Sequence, residues 1–386
     1  MKQKLFNNSG TKMKAGKLRT VIIILVCFLL AHGLYAEEIK NNDKPAKGES
    51  AFDIKKVWEI DTAGEDPLGN IDDILISAKG RICCYDNKNM KYYLFDGNGK
   101  FILAFGTRGE GPGEIKQPEE APIIKAGNKI VVQDVDRMHY FTWEGKYVKS
   151  MVNPKDRKPT LFLNEDEFIQ APLTILAAPG GIAKVTQVNL ATGERKVLTE
   201  FNMFKGGALQ SETGSASIWA DGLTPMFILG KIGGKLYYGV NDKYRVYISD
   251  MEGKVQGSFS LTRRKTSVSE KEKIDFISRA AQGQAPDDLI RRLAKQLPNE
   301  ETYFSNIEEH NGLIYLYIWK FFMNNTQQID IFSPEGKYLY RKIIKVEPKY
   351  RIGCMPVIHD GYVYLGLEDE DGEITLNKYE ITLPKG

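Results

Sequence analysis

The sequence predicts an all-β chain folded as a six-bladed β-propeller, closed by an N-terminal strand and interrupted by a helical hairpin. Three observations carry that prediction. Of the 386 residues, 42% are hydrophobic and 11% aromatic, with 36 Gly, 19 Tyr and 18 Phe. This is the composition of a chain with many strands, many turns and apolar mass for a sizeable core. A strand–turn pattern recurs at intervals of about 50 residues, and the one interval that is much longer contains a helical pattern.

The first element is not part of the ring. Val21 to Leu34 (VIIILVCFLLAHGL) is an apolar run after a basic segment without acids, ending at Leu34-Tyr35-Ala36 before Glu37-Glu38. A basic start, a short apolar stretch and a small residue before the cut describe a secretory signal over residues 1–36. At 14 residues the run is short for a membrane span, which needs about 20. Met13 makes a more compact start than Met1. A retained anchor and a lipid anchor on Cys27 are the alternatives, the latter with bulky Val26 where a small residue belongs. Removing 1–36 takes away six basic residues and no acid, so 53 basic residues become 47 against 50 acidic ones, a net charge of −3. No basic excess is left to argue for nucleic acid. The remaining cysteines, Cys83, Cys84 and Cys354, are too few to staple the fold. Neighbours on a strand point to opposite faces, so Cys83 and Cys84 read as small buried hydrophobes.

Residues 37–51 (EEIKNNDKPAKGESA) are polar and read as a flexible leader. The ring then occupies 52–386. Its repeat is an apolar strand, a turn, a second strand and a Gly-Lys turn: Gly80 to Asp86, Tyr92 to Asp96, then Gly99-Lys100. It returns at Asn128, Gly234, Gly312 and Gly361, and more weakly at Gly180-Gly181-Ile182. Openings near 80, 128, 181, 234, 312 and 361 are spaced by 48, 53, 53, 78 and 49 residues. Glycine suits these turns because it accepts positive φ without steric cost. Six small sheets cannot each bury both faces, and closing them into a ring solves this. The last copy supplies three strands, Met355–His359, Gly361–Leu367 and Ile374–Ile381, so Phe52–Ile60 is expected to complete it as the outer strand. An open array of sheets is the alternative.

The long interval holds residues 267–297. Ser269 and Glu272 form a capping box; Ile274, Ile277 and Ala281 share a face. Pro286 suits a first helical turn, Asp287 and Asp288 complement its dipole, and Leu289, Leu293 and Leu297 recur every four residues. This reads as a helical hairpin inserted between two blades.

Asp86 to Asn89, Tyr93 to Gly106, Gly109-Glu110-Gly111-Pro112-Gly113-Glu114 and Pro118 together resemble the NHL-repeat propeller signature. In particular they look like bacterial exported six-bladed propellers with a Gly-x-Gly-Pro-Gly-Glu turn. The likeness is specific over 80–150 and diffuse or moderate beyond. It implies a scaffold whose members bind proteins, peptides, glycans or RNA, some relatives being lyases or hydrolases; fold alone does not choose among these.

In a four-stranded blade, the turn between second and third strands and the crossover to the next blade lie on one face. That face should carry the acidic turns (Asp86, Asp134, Asp136, Asp242), the crossover with Arg108, Glu110 and Glu114, and the helical insertion. These seven residues are the candidate binding residues, because loops on a rigid scaffold are where binding sits. The crossover glycines read either as an anion nest or as a sharp turn stiffened by Pro112. The acidic turns read either as oxygen ligands for calcium or as self-capping turns. His139, His310 and His359 have no zinc spacing, and no nucleophile elbow or phosphate loop is present. Tyr237, Tyr238, Tyr315, Tyr317 and Trp319 are either sugar-stacking surfaces or inter-blade packing, the latter fitting their strands better. Glu368 to Asp371 is an acidic, solvated turn.

The reading is an exported, periplasmic, envelope or secreted, non-enzymatic binding module for a protein, peptide or glycan. It needs no cofactor, and touches membrane only through an uncleaved signal or lipid anchor. The alternative is a hydrolase or lyase with a metal-assisted site at the channel mouth. An enzyme requires several acids or histidines converging on one point; a binding module requires an open aromatic patch.

Overall fold

The computed structural model describes residues 37–153, 160–171, 182–202, 210–211, 214–215, 223–280, 285–318 and 324–385. The signal segment, Gly180, Gly181, Ala281 and Trp319 lie outside them. Three strands precede the ring: β1 (Glu37–Asn42), β2 (Glu49–Ala51) and β3 (Ile54–Ile60). Blade 1 comprises β4 (Ile71–Ile76), β5 (Ile82–Asp86), β6 (Lys91–Phe95) and β7 (Phe101–Phe105). Blade 2 comprises β8 (Ile123–Ala126), β9 (Lys129–Gln133), β10 (Arg137–Phe141) and β11 (Tyr147–Val152). Blade 3 comprises β12 (Leu161–Phe162), β13 (Glu167–Gln170), β14 (Ile182–Asn189) and β15 (Arg195–Asn202). Blade 4 comprises β16 (Phe227–Ile232), β17 (Lys235–Val240), β18 (Arg245–Asp250) and β19 (Val255–Thr262). Blade 5 comprises β20 (Phe304–His310), β21 (Leu313–Ile318), β22 (Thr326–Phe332) and β23 (Tyr338–Lys345). Blade 6 comprises β24 (Val357–His359), β25 (Tyr362–Glu368), β26 (Ile374–Ile381) and β3. The chain is a six-bladed β-propeller.

The core is a set of seams between blades. Side chains alternate along a strand, so each blade offers one row to the blade before it and one to the blade after. In β5, Ile82 and Cys84 join the cluster shared with blade 6, while Cys83 joins the cluster shared with blade 2. Strands buried on both faces read as unbroken apolar runs, which is why the second strands stood out in the sequence. Tyr237, Tyr238, Tyr315 and Tyr317 are each buried in such seams. First strands of neighbouring blades meet toward the axis: β4 with β8, β8 with β12, β16 with β20, and β24 with β4.

Ring closure follows the expected route. β3 pairs antiparallel with β26, from Ile54 opposite Ile381 to Ile60 opposite Leu376. Trp58 lies edge-on to Tyr364 with ring centroids 6.2 Å apart, and its ring fills the space above Gly99 of blade 1. One strand therefore finishes blade 6 and touches blade 1.

The leader is not a free tether. β1 runs parallel to β19 as a fifth strand on blade 4, and β2 runs parallel to β23 on blade 5. Side chains tie the strap down. Glu38 accepts from Arg245 at 2.6 Å and Ser260 at 2.8 Å. Asn41 donates to the carbonyls of Ser260 and Gly336 and accepts from the Tyr338 amide. Asp43 receives Nε and Nη2 of Arg263, at 2.9 and 2.7 Å, together with Arg341. The polar composition that suggested disorder is the composition of a strand lying on an exposed sheet edge, where backbone pairing needs no apolar side chains.

Blade 3 corrects the repeat by one strand. The segment opening at Ile182 is its third strand, paired with β13 and β15, and the second strand is Glu167–Gln170. The turn before that second strand is built without glycine: Asn164 Oδ1 accepts the Asp166 amide at 2.9 Å. The helical hairpin is present as α1 (Glu270–Ala280) and α2 (Asp287–Ala294). The capping box forms, with Ser269 N to Glu272 Oε2 at 2.7 Å and Glu272 N to Ser269 Oγ at 3.3 Å. Pro286 is the N-cap of α2 rather than a first-turn residue. Ile277, Ile290, Leu293 and Leu297 form a small core of their own with Leu223 and Val268.

Asp73, on inner strand β4, links two blades by accepting the Ile123 amide of β8 at 3.3 Å. Burial pushes its carboxyl up to about 6. The folded chain therefore keeps this proton above the pH at which the unfolded chain has lost it. In that window the native state binds more protons, so stability falls as pH rises from about 4 toward 6. Asp73→Asn retains an acceptor and stays neutral. It should raise stability at pH 8 by about 1–3 kcal/mol and remove that decline, read from urea midpoints at pH 4.5 and 8.

Candidate functional site

The acidic turns are built alike. Asp86 ends the second strand of blade 1 and is fully buried; it accepts the amides of Gly69 at 2.6 Å, Asn70 at 3.0 Å and Asn89 at 3.0 Å. Asp134, one blade on, accepts those of Lys116 at 2.6 Å, Gln117 at 3.1 Å and Val135 at 2.7 Å. Burial opposes ionisation of Asp134, but these backbone donors outweigh it and hold the carboxyl below its usual value. In blade 4 the position is Asn241, which accepts the Met226 amide at 2.7 Å and donates to the Phe304 carbonyl at 2.8 Å. Each side chain pins an incoming crossover to the second-to-third-strand turn, so both loop types share one face. Asp86 spends its oxygens on this work. The capping reading of the turn is what the geometry presents there.

The crossover from blade 1 to blade 2 folds around its own carboxylate. Glu114 Oε2 accepts the Gly111 amide at 2.8 Å. A Cβ on Gly109 would stand 2.0 Å from that oxygen, and Gly113 has φ +82°. The glycines are required by this internal anion and by the turn, so the nest is already filled. Arg108 points elsewhere, paired with Glu119 at 2.6 Å.

Beneath this loop lies a pocket of about 120 Å³. It brings together four of the candidate residues, Glu110, Glu114, Asp134 and Asp136, with Lys116, Arg137 and His139. His139 Nδ1 lies 2.9 Å from Ser150 Oγ, which lies 2.9 Å from the Tyr147 hydroxyl. His139 Nε2 is buried without a hydrogen bond; Asp134 Oδ2 is 3.5 Å away. Burial drives the imidazole below its ordinary value, more strongly than Asp134 draws it up, so His139 is neutral at pH 7. In sequence His139 reads as a satisfied strand residue; only the fold shows the unpartnered nitrogen.

Asp242 is apart from these, in a cleft of about 530 Å³ between blades 3 and 4. Burial raises its carboxyl above the usual range. Lys243, Arg245 and Glu200 line the same cleft, whose wall is a row of rings. Phe201 stacks on Phe227 at 4.8 Å, Phe227 meets Tyr238 at 5.7 Å, and Tyr238 stacks on Tyr247 at 5.7 Å. The rings come from β15, β16, β17 and β18, so no local spacing could have announced them. Among the described residues, no group of three or more His, Cys, Asp or Glu side chains is placed to hold a metal ion. Among them too, no helix is long and apolar enough to cross a membrane.

The fold and these loops define the class as a six-bladed propeller with its polar and aromatic recesses on the loop side. Residues 36–167 match the model of a family described as 6-bladed beta-propeller. No curated protein matches the chain. Among solved structures, the chain is similar to an inferred exported protein of Bacteroides fragilis, at 12% identity, TM-score 0.50, covering 90% of this chain and 100% of that one. A DUF4221 family member from Bacteroides vulgatus aligns at 10% identity, TM-score 0.49, with 86% and 99% covered. A virginiamycin B lyase from Staphylococcus aureus aligns at 11% identity, TM-score 0.40, with 86% and 100% covered. At 12% identity, the Bacteroides fragilis likeness speaks to the fold alone.

Proposed function

We propose that this chain is an exported binding propeller that recognises a protein, peptide or glycan on its loop face, at the cleft between blades 3 and 4. The observation that carries the reading is the cleft beside Asp242, where the half-buried rings of Phe201 and Tyr247 stand on the buried rings of Phe227 and Tyr238. Aromatic walls offer large apolar contact at low entropic cost, and a few polar groups set orientation. Export rests on the signal-like segment before Glu37. The alternative of a metal-assisted hydrolase has less support: four acids gather with His139 under the crossover from blade 1 to blade 2, but among the described residues no three His, Cys, Asp or Glu side chains are placed to hold a metal ion.

The test is a glycan array and an immobilised peptide library probed with residues 37–386. Tyr247→Ala and Asp242→Ala, at half-buried positions, should weaken each hit about tenfold or more, as losing one well-placed contact does. Hits unaffected by both substitutions, or no hit on either array, would refute the reading.

A further inference from the structure

On blade 2, away from the aromatic cleft, a second arrangement points to chemistry rather than binding. His139 and Ser150 are paired across β10 and β11, so their side chains share one face of a rigid ladder. The order of protons along this face follows from its charges. Asp134 is ionised and faces His139 Nε2 at 3.5 Å, so the imidazole proton belongs on Nε2. That leaves Nδ1 as an acceptor, and Ser150 donates to it across 2.9 Å. The Tyr147 hydroxyl donates in turn to Ser150 Oγ at 2.9 Å. A hydroxyl bonded to a neutral imidazole whose far nitrogen faces a carboxylate is the arrangement that activates a serine. Ser150 is half-buried on the outer strand β11. Asp134 is held by three backbone amides, which fixes it in place independently of any ligand.

We propose that Ser150 is an activated nucleophile that accepts an acyl group from a small ester or related acyl donor, with His139 as its general base. Ser150 Oγ bonds to the acyl carbon as its proton passes to His139 Nδ1. The bond from acyl carbon to the leaving oxygen breaks, and that oxygen takes the proton from Nδ1. Water then attacks the Ser150 ester and gives a proton to Nδ1. The acid leaves, and Ser150 Oγ recovers that proton. Asp134 is a positioning residue that acts through the ring. Arg137, two residues from His139 on the same face of β10, lines the adjoining pocket.

The test uses the full chain purified after export, a fluorophosphonate probe, and mass-spectrometric mapping of the modified residue. Folded protein should be labelled at Ser150, and Ser150→Ala should abolish labelling. His139→Gln should slow it by about a hundredfold, the lower end of what a general base contributes. With p-nitrophenyl acetate, Asp134→Asn should lower kcat and leave KM unchanged, which a purely structural role would not do. Ser150→Ala removes only the hydroxyl of a half-buried residue, so it serves as the folded control if His139→Gln unfolds. Labelling elsewhere, labelling no faster than in denatured protein, or equal rates in wild type and a folded His139→Gln would each overturn the assignment.

Discussion

Asp330→Asn should cost about 3–5 kcal/mol of unfolding free energy, the usual result of removing one partner from a buried ion pair. Asp330 is fully buried on the third strand of blade 5. It accepts from Arg263 Nη1 at 2.6 Å, Tyr244 at 2.6 Å, Tyr338 at 2.7 Å and Gln328 at 3.1 Å. The isosteric amide turns one acceptor into a donor facing donors and leaves Arg263 short of charge. Arg263 keeps Asp43, so the loss is not total. Replacing both partners, Asp330→Leu with Arg263→Met, should cost less than Asp330→Asn alone, because no buried charge is then stranded. Urea unfolding of the three chains decides this. An Asp330→Asn midpoint equal to that of the parent would show that the hub is not a source of stability.

Two N-terminal truncations should behave differently in kind. Removing residues 37–51 strips β1 and β2 from blades 4 and 5, with the bonds of Glu38 and Asp43 to arginines. Those bonds are charge-assisted, but ordering the strap offsets part of them. A net loss of about 2–4 kcal/mol, or roughly 4–10 °C in Tm, is expected, with a cooperative transition retained. Removing 37–60 also takes β3. Blade 6 is then left with an exposed outer edge along β26, and the seam contacts of Phe52 and Trp58 are lost. A ring of sheets depends on each seam being filled, so this chain should lose its cooperative transition and aggregate. Calorimetry of both truncations checks the contrast. Equal behaviour would mean that closure does not depend on β3.

The repeat was legible because its signals are local. Gly99, Gly145, Gly253 and Gly336 all take positive φ in the hairpins where the Gly-Lys turns were read. The same locality explains the slip in blade 3. Where Asn164 and Asp166 made the turn, the glycine signal was missing and the reading moved to the next strand. The candidate carboxylates were visible as residue types, yet their fates diverged. Asp86 is consumed by amides, Asp242 lines an aromatic cleft, and Glu110, Glu114, Asp134 and Asp136 gather in one pocket.

Alternating apolar side chains and glycine turns act within a few residues, and so the chain by itself specified six sheets, an inserted hairpin and a closing strand. Which carboxylates stay available, where residues 37–51 dock, and what stands beside Ser150 were decided only by tertiary structure. Each depends on backbone amides, sheet edges or rings from distant segments, and no short-range pattern encodes such meetings.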